Sequence, residues 1–272
     1  MQRYTAGDRY RMPFGFGPSP GPRQSQDGRP FDWSSSRRLV TSISFLSDAE
    51  AIQALLPLGF LVHGEPVVTV ELTRLTNLAW LAGRGYSMIG VKFPAYYRGR
   101  KEEVRGPFLA VLWENLADPI ITGREELGFA KLYCEIPETR TLGNEQISTA
   151  GWCGHSFIEL RISGLTEAPP PPAAVETPDG TLHYKYIPAT DGSGRADAAQ
   201  AVISPLKPGA LKTEQRWTGQ GEVRFLRSTW EQLPTFFHVV NALCDLPMLG
   251  ARGASLTSAS GGTDLSEQRP II

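Results

Sequence analysis

A chain of 272 residues, 41% hydrophobic and 20% charged, can bury one sizeable core, and no linker divides it into halves that each own one. A formal net charge of −1 without a basic run supplies no electrostatic footprint for nucleic acid or for an anionic membrane, so neither is expected as a partner. No segment has the roughly eighteen uninterrupted apolar residues of a membrane span. Cys134, Cys153 and Cys244 are too few and too dispersed for a disulfide framework, which favours an intracellular, cytoplasmic location.

In chain order, residues 1–33 are rich in Gly, Pro, Arg and Gln, lack the apolar core of a signal peptide, and read as an irregular arm. A single domain is expected over 34–268. Its first strand spans Arg37 to Phe45. Ser47-Asp48-Ala49-Glu50 then reads as a capping box that opens a short helix to Leu56, stopped by Pro57. After the Gly64-Glu65-Pro66 turn, a strand over 67–75 carries Glu71 among Val68, Val70 and Leu72. An acid in so apolar a strand needs a partner or solvent. Gly83-Arg84-Gly85 is a turn and not a phosphate cradle, because no long helical pattern follows it.

Further alternating stretches over 108–113, 129–136, 156–162, 182–187 and 222–227 are separated by Gly, Pro and Asp turns. Cys153-Gly154-His155 reads as a strand end, since no second ligand pair has metal-binding spacing, and His63, His183 and His238 are too scattered for a triad. Residues 167–172, ending in four prolines, form an extended connector. The Gly- and Ser-rich tail from Ala251 has room for one more strand. The pattern predicts a mainly β (α+β), mostly antiparallel architecture with one or two short helices, and does not itself separate a barrel from a sandwich.

The run Gly123-Arg124-Glu125-Glu126-Leu127-Gly128-Phe129-Ala130-Lys131-Leu132 places one lysine near the start of an alternating segment. Phe129, Lys131, Tyr133 and Glu135 share one face, and Ala130, Leu132, Cys134 and Ile136 share the other. The second face is apolar and belongs against packed protein. Lys131 therefore points either to solvent, as strand lysines usually do, or into a cavity.

This run resembles the signature of the acetoacetate decarboxylase superfamily, in which a Gly-Arg-Glu turn leads to an aromatic, a proline and a Schiff-base lysine. Gly123, Arg124, Glu125, Phe129 and Lys131 match; Ala130 replaces the proline and Leu132 replaces a second lysine. The order of Ile187-Pro188, Asp191-Gly192, Trp217-Thr218-Gly219 and Asp245-Leu246-Pro247 also resembles the family, so the likeness covers roughly 34–268. It implies a curled, partly closed antiparallel β-barrel with the lysine reaching inside, and assembly into a homo-oligomer. By residue count Arg38 falls on the family's active-site arginine. Arg37 is the alternative, because a one-residue slip reverses which side chain faces inward. Glu71 matches one of two active-site glutamates, and Met88 stands where the second is expected. Tyr86 and Tyr133 are candidate pocket hydroxyls, and Phe129 and Met88 complete the candidate substrate-binding set. Arg124 and Glu125 are assigned a structural role, as an ion pair fixing the turn.

The resemblance implies cofactor-free chemistry without a metal. A lysine attacks a ketone only as the free amine, so its pKa must fall by about 3 from 10.4, which burial can accomplish without the second lysine. The resulting iminium accepts electrons from the neighbouring carbon. A C–C bond to a carboxylate releases carbon dioxide; a C–H bond gives an enamine able to add to an aldehyde or lose water. Arg38 would hold the substrate carboxylate. Glu71 would move a proton or orient Arg38, unless it merely pairs with a nearby arginine. Three readings follow: a decarboxylase of a small-molecule β-keto acid, an aldolase, dehydratase or cyclase of the same fold acting on an oxo acid or polyketide-like ketone, and a non-catalytic barrel for a hydrophobic ligand.

Overall fold

The computed structural model describes residues 5–170 and 176–272; Pro171 and Pro172 of the expected connector lie outside the described residues. One fourteen-stranded sheet organises those residues. Its strands are β1 (Arg37–Leu46), β2 (Phe60–Val62), β3 (Val67–Thr76), β4 (Tyr86–Arg98), β5 (Glu103–Glu114), β6 (Lys131–Tyr133) and β7 (Arg140–Leu142). They continue as β8 (Glu145–Trp152), β9 (His155–Glu167), β10 (Gly180–Pro188), β11 (Ala196–Pro205), β12 (Leu211–Phe225), β13 (Gly250–Gly261) and β14 (Arg269–Pro270). The order across the sheet is β14-β11-β10-β5-β4-β3-β1-β13-β12-β9-β8-β7, with β2 on β4 and β6 on β5. Pairing is antiparallel except at β5–β10 and β5–β6. The sheet curls without closing into a complete barrel.

Three short α-helices accompany it, one more than the upper expectation: α1 (Ala49–Gln53), α2 (Ala117–Thr122) and α3 (Phe237–Cys244). At α1 the cap is Asp48, whose carboxylate accepts from the Ala51 amide at 2.9 Å; the expected Ser47 is buried and its hydroxyl has no partner among the described residues. The sequence reading missed α2 and the π turn over Gly123–Leu127 that continues it. That continuation shortens the expected strand over 129–136 to the three residues of β6. Gly128 closes the turn in the left-handed region at φ 78°, and after Tyr133 the chain passes from β5 to an isolated antiparallel bridge between Glu135 and Gly151 of β8. Cys153 and Gly154 form the two-residue turn of the β8–β9 hairpin, both with positive φ, so this segment is a strand end.

The central strands β3, β4 and β5 are two-faced in the period-two sense. Val68, Val70, Leu72, Ile89, Val91, Phe93, Val111 and Trp113 belong to the hydrophobic core. The opposite faces carry Glu71, Thr73, Met88, Gly90, Lys92 and Leu109, and these line a cavity of about 710 Å³. A strand lysine and a strand glutamate in an apolar context thus have the same explanation: both belong to a wall facing an interior space.

Among its described residues the arm holds a helical turn at Phe14–Phe16 and an isolated bridge between Gly21 and Gln24, and is otherwise irregular or in turns. It docks on its own chain, where Arg11 and Arg23 both form ion pairs with Glu126 of the π turn. Pro22 and Trp33 from the arm reach the cavity wall.

Candidate active site

Lys131 lies at the inner end of the cavity, on the strand that pairs parallel to β5 at Leu112. It is 5% exposed. Its Nζ donates to the Pro119 carbonyl of α2 at 2.9 Å and lies 2.9 Å from Oε1 of Glu114. The aliphatic stem runs directly over Gly123: a Cβ built there would sit 2.4 Å from Lys131 Cε. The glycine that opens the signature is therefore required by space, since its own backbone is ordinary right-handed helix. Arg124, expected to pair with Glu125, instead donates to the Lys131 carbonyl at 2.8 Å, and the ion-paired acid of this turn is Glu126. The turn thus fixes the lysine through main-chain and steric contacts.

Glu114 was not anticipated. It is fully buried, and neither carboxylate oxygen has a hydrogen-bond partner among the described residues beyond the approach of Lys131. Burial pushes its carboxyl up from the ordinary range, opposed by Lys131; burial pushes the lysine down, opposed by Glu114. Both shifts favour the uncharged pair, in which the amine is free.

Arg38, and not Arg37, faces the cavity; Arg37 is on the outer face, 3.4 Å from Glu214. Arg38 Nη2 donates to the Gly261 carbonyl at 3.3 Å, and its buried Nε has no partner among the described residues. Burial lowers its pKa, opposed by Tyr86 and Glu71. Glu71 lines the cavity and forms its ion pair with Lys92 of β4 and not with an arginine, while its charge still acts on Arg38. Lys92 was missed because β4 was not read as a strand. Once it is, Tyr86, Met88, Gly90 and Lys92 fall on one face, and all four line the cavity.

Tyr86 packs edge-on against Trp80, and burial together with the Glu114 charge raises its phenol pKa. Phe129 stacks on His183 at 4.1 Å, and Lys131 Nζ lies 5.3 Å from the Phe129 ring centre. His183 is buried, bonded through Nε2 to Ser204 at 3.0 Å, and held down to about 3, chiefly by burial. The structure thus brings together Lys131, Arg38, Glu71, Tyr86, Met88 and Phe129 on one cavity wall. Tyr133 is not among them: β6 is only three residues long, and Tyr133 at its end is 48% exposed.

Among the described residues no group of three or more His, Cys, Asp or Glu could hold a metal ion, and no helix is long and apolar enough to cross a membrane.

Comparison with known structures adds the fold context. The acetoacetate decarboxylase of Legionella pneumophila subsp. pneumophila str. Philadelphia 1 matches at 20% identity and TM-score 0.64, covering 90% of this chain and 91% of that one. The enzyme MppR of enduracididine biosynthesis, bound to the condensation product of pyruvate and imidazole 4-carboxaldehyde, matches at 16% identity and TM-score 0.63, over 89% and 94% of the two chains. An acetoacetate decarboxylase-like enzyme from Sphingomonas wittichii RW1 matches at 16% identity and TM-score 0.61, over 88% and 93%. No curated protein matches. The family model for acetoacetate decarboxylase matches residues 11–261, nearly the whole domain and most of the arm, and the chain belongs to the acetoacetate decarboxylase family.

Proposed function

We propose that this protein is a Schiff-base enzyme that decarboxylates a β-keto acid through Lys131. The carrying observation is a lysine almost excluded from water at the inner end of a large cavity, with its charge disfavoured by burial. A free amine attacks the substrate ketone and water leaves. The iminium then draws the electrons of the bond to the carboxylate, releasing carbon dioxide and an enamine that is protonated and hydrolysed. Arg38 receives the substrate carboxylate: its Nε is an unspent donor on the cavity side of β1, and its guanidinium has no carboxylate partner among the described residues. The cavity is far larger than a four-carbon acid needs, and its apolar lining, including Trp33, Trp80 and Leu109, favours a longer or aromatic oxo acid.

A second reading is aldol addition or dehydration through the same iminium. Two observations favour it: Met88 removes a carboxylate from the expected wall, and the similar MppR structure holds a pyruvate condensation product.

Borohydride trapping tests the proposal. The protein is incubated with acetoacetate, pyruvate and longer β-keto acids, reduced, and mapped by peptide mass. An adduct on Lys131, absent in Lys131→Ala, with carbon dioxide release, is expected. An adduct without carbon dioxide selects the second reading. No adduct with any oxo acid removes both and leaves a ligand-binding barrel.

A further inference from the structure

The family resemblance places a carboxylate on β4 at Met88, and this chain has none there. In the observed register the residue directly across from Met88 on β5 is Glu114. That position faces the cavity because of a β-bulge. Val91 pairs with Val111 but Lys92 pairs with Leu109, leaving Ala110 unpaired, so the alternation of β5 changes phase. Pro107 and Leu109 face the cavity on one side of the bulge, Leu112 and Glu114 on the other, while Trp113 turns into the core. The carboxylate ends 2.9 Å from the reacting nitrogen with no competing hydrogen bond among the described residues.

We propose that Glu114 is the acid–base partner of Lys131 in forming and breaking the iminium, a carboxylate supplied from β5 in place of one on β4. This rests on the Schiff-base reading of Lys131. In the resting pair the proton resides on Glu114 and the amine is neutral. Attack of Nζ on the ketone carbon breaks the carbonyl π bond, and the new N–H proton passes to the oxygen, giving the carbinolamine. Glu114 then protonates that hydroxyl, the C–O bond breaks, water departs, and the nitrogen lone pair forms the iminium beside an ionised Glu114. The two opposite charges at this point are adjacent, which offsets the cost of burying either. In hydrolysis the carboxylate takes the proton from the attacking water, and the cycle closes with Glu114 protonated. Burial lowers the Lys131 pKa against the pull of Glu114, so no second lysine nearby is needed to favour the neutral nucleophile. Leu132, where the decarboxylase pattern has that lysine, is only partly buried and packs against the core.

The test follows the time course of borohydride trapping in the wild type, Glu114→Gln, Met88→Glu and the double variant. With the wild type trapping normally, Glu114→Gln is expected to label Lys131 about 10²-fold or more slowly while reaching the same end point. The double variant, with its carboxylate on the facing strand, is expected to recover at least about tenfold. Trapping by Glu114→Gln at the wild-type rate would overturn the proposal and leave the Schiff-base reading standing; a wild type that never traps sinks both. If Glu114→Gln does not fold, the wild-type rate in heavy water decides. A slower approach to the adduct is expected for a proton in flight at carbinolamine dehydration, and an unchanged rate counts against Glu114.

Discussion

Gly123 shows how much of this site is decided by single atoms. The Lys131 stem crosses it so closely that a methyl group would occupy the lysine's own position, while the backbone there accepts any residue. Gly123→Ala is therefore expected to keep the fold and the melting temperature to within a few degrees, yet to displace the amine from Glu114. An ångström-scale misplacement of a reacting group can cost about 10²-fold, so adduct formation should slow by that order. An unchanged trapping rate would show that the lysine has slack. His183 gives a residue-scale expectation of a different kind. Its pKa is held at about 3, against 6.5 for the free side chain, so the unfolded chain binds the proton first as pH falls. Stability is then full above about 6.5 and declines toward 3, by about 3 kcal/mol at pH 4 if this group acts alone. Urea melts should show the wild type losing about 3 kcal/mol between neutrality and pH 4, a loss that His183→Gln lacks.

At the scale of elements, α1 separates two capping assignments that the sequence leaves ambiguous. Asp48→Ala should lower stability by about 1 kcal/mol, since its carboxylate holds the Ala51 amide. Ser47→Ala should cost much less, because its buried hydroxyl bonds nothing among the described residues. Equal losses in urea denaturation would contradict the observed cap. The strands β1, β3, β9 and β10 were legible because apolar and polar residues alternate cleanly along them. β4 was not, since Gly90 and Pro94 interrupt its pattern, and Lys92 went unseen with it. Lys131 and Arg38 were found through the family resemblance, Arg38 by residue count beside a second arginine, whereas Glu71 is legible as a charge set among apolar neighbours. Glu114 carries the same signal, as an acid closing the run from Phe108 to Trp113, but strict alternation from Leu109 assigns it to the wrong side. Only the extra residue at Ala110 corrects the assignment, and a bulge has no reliable mark in a stretch of Leu, Ala and Val.

Across the whole molecule, the arm and the catalytic turn are fastened together. Arg11 and Arg23 approach Glu126 from a segment more than a hundred positions away, and all three side chains are largely buried. Removing the carboxylate leaves two buried cations facing each other, so Glu126→Gln is expected to destabilise by about 3 kcal/mol. Limited trypsin digestion should then cut after Arg11 and Arg23 well before the domain itself is degraded. An arm no more sensitive than in the wild type would mean that other contacts hold it. The cavity assembled beneath this arm draws its wall from strands scattered along the chain, and each strand displays every second side chain to it. The unpaired Ala110 acts on that display as an insertion acts on a reading frame. Were Ala110 drawn into the ladder, strict alternation from Leu109 would turn Trp113 toward the cavity and Glu114 away from it, whereas its loss would leave both where they are. Related chains can therefore differ in chemistry at this wall through a shift in phase, with every residue identity along the strand left as it was.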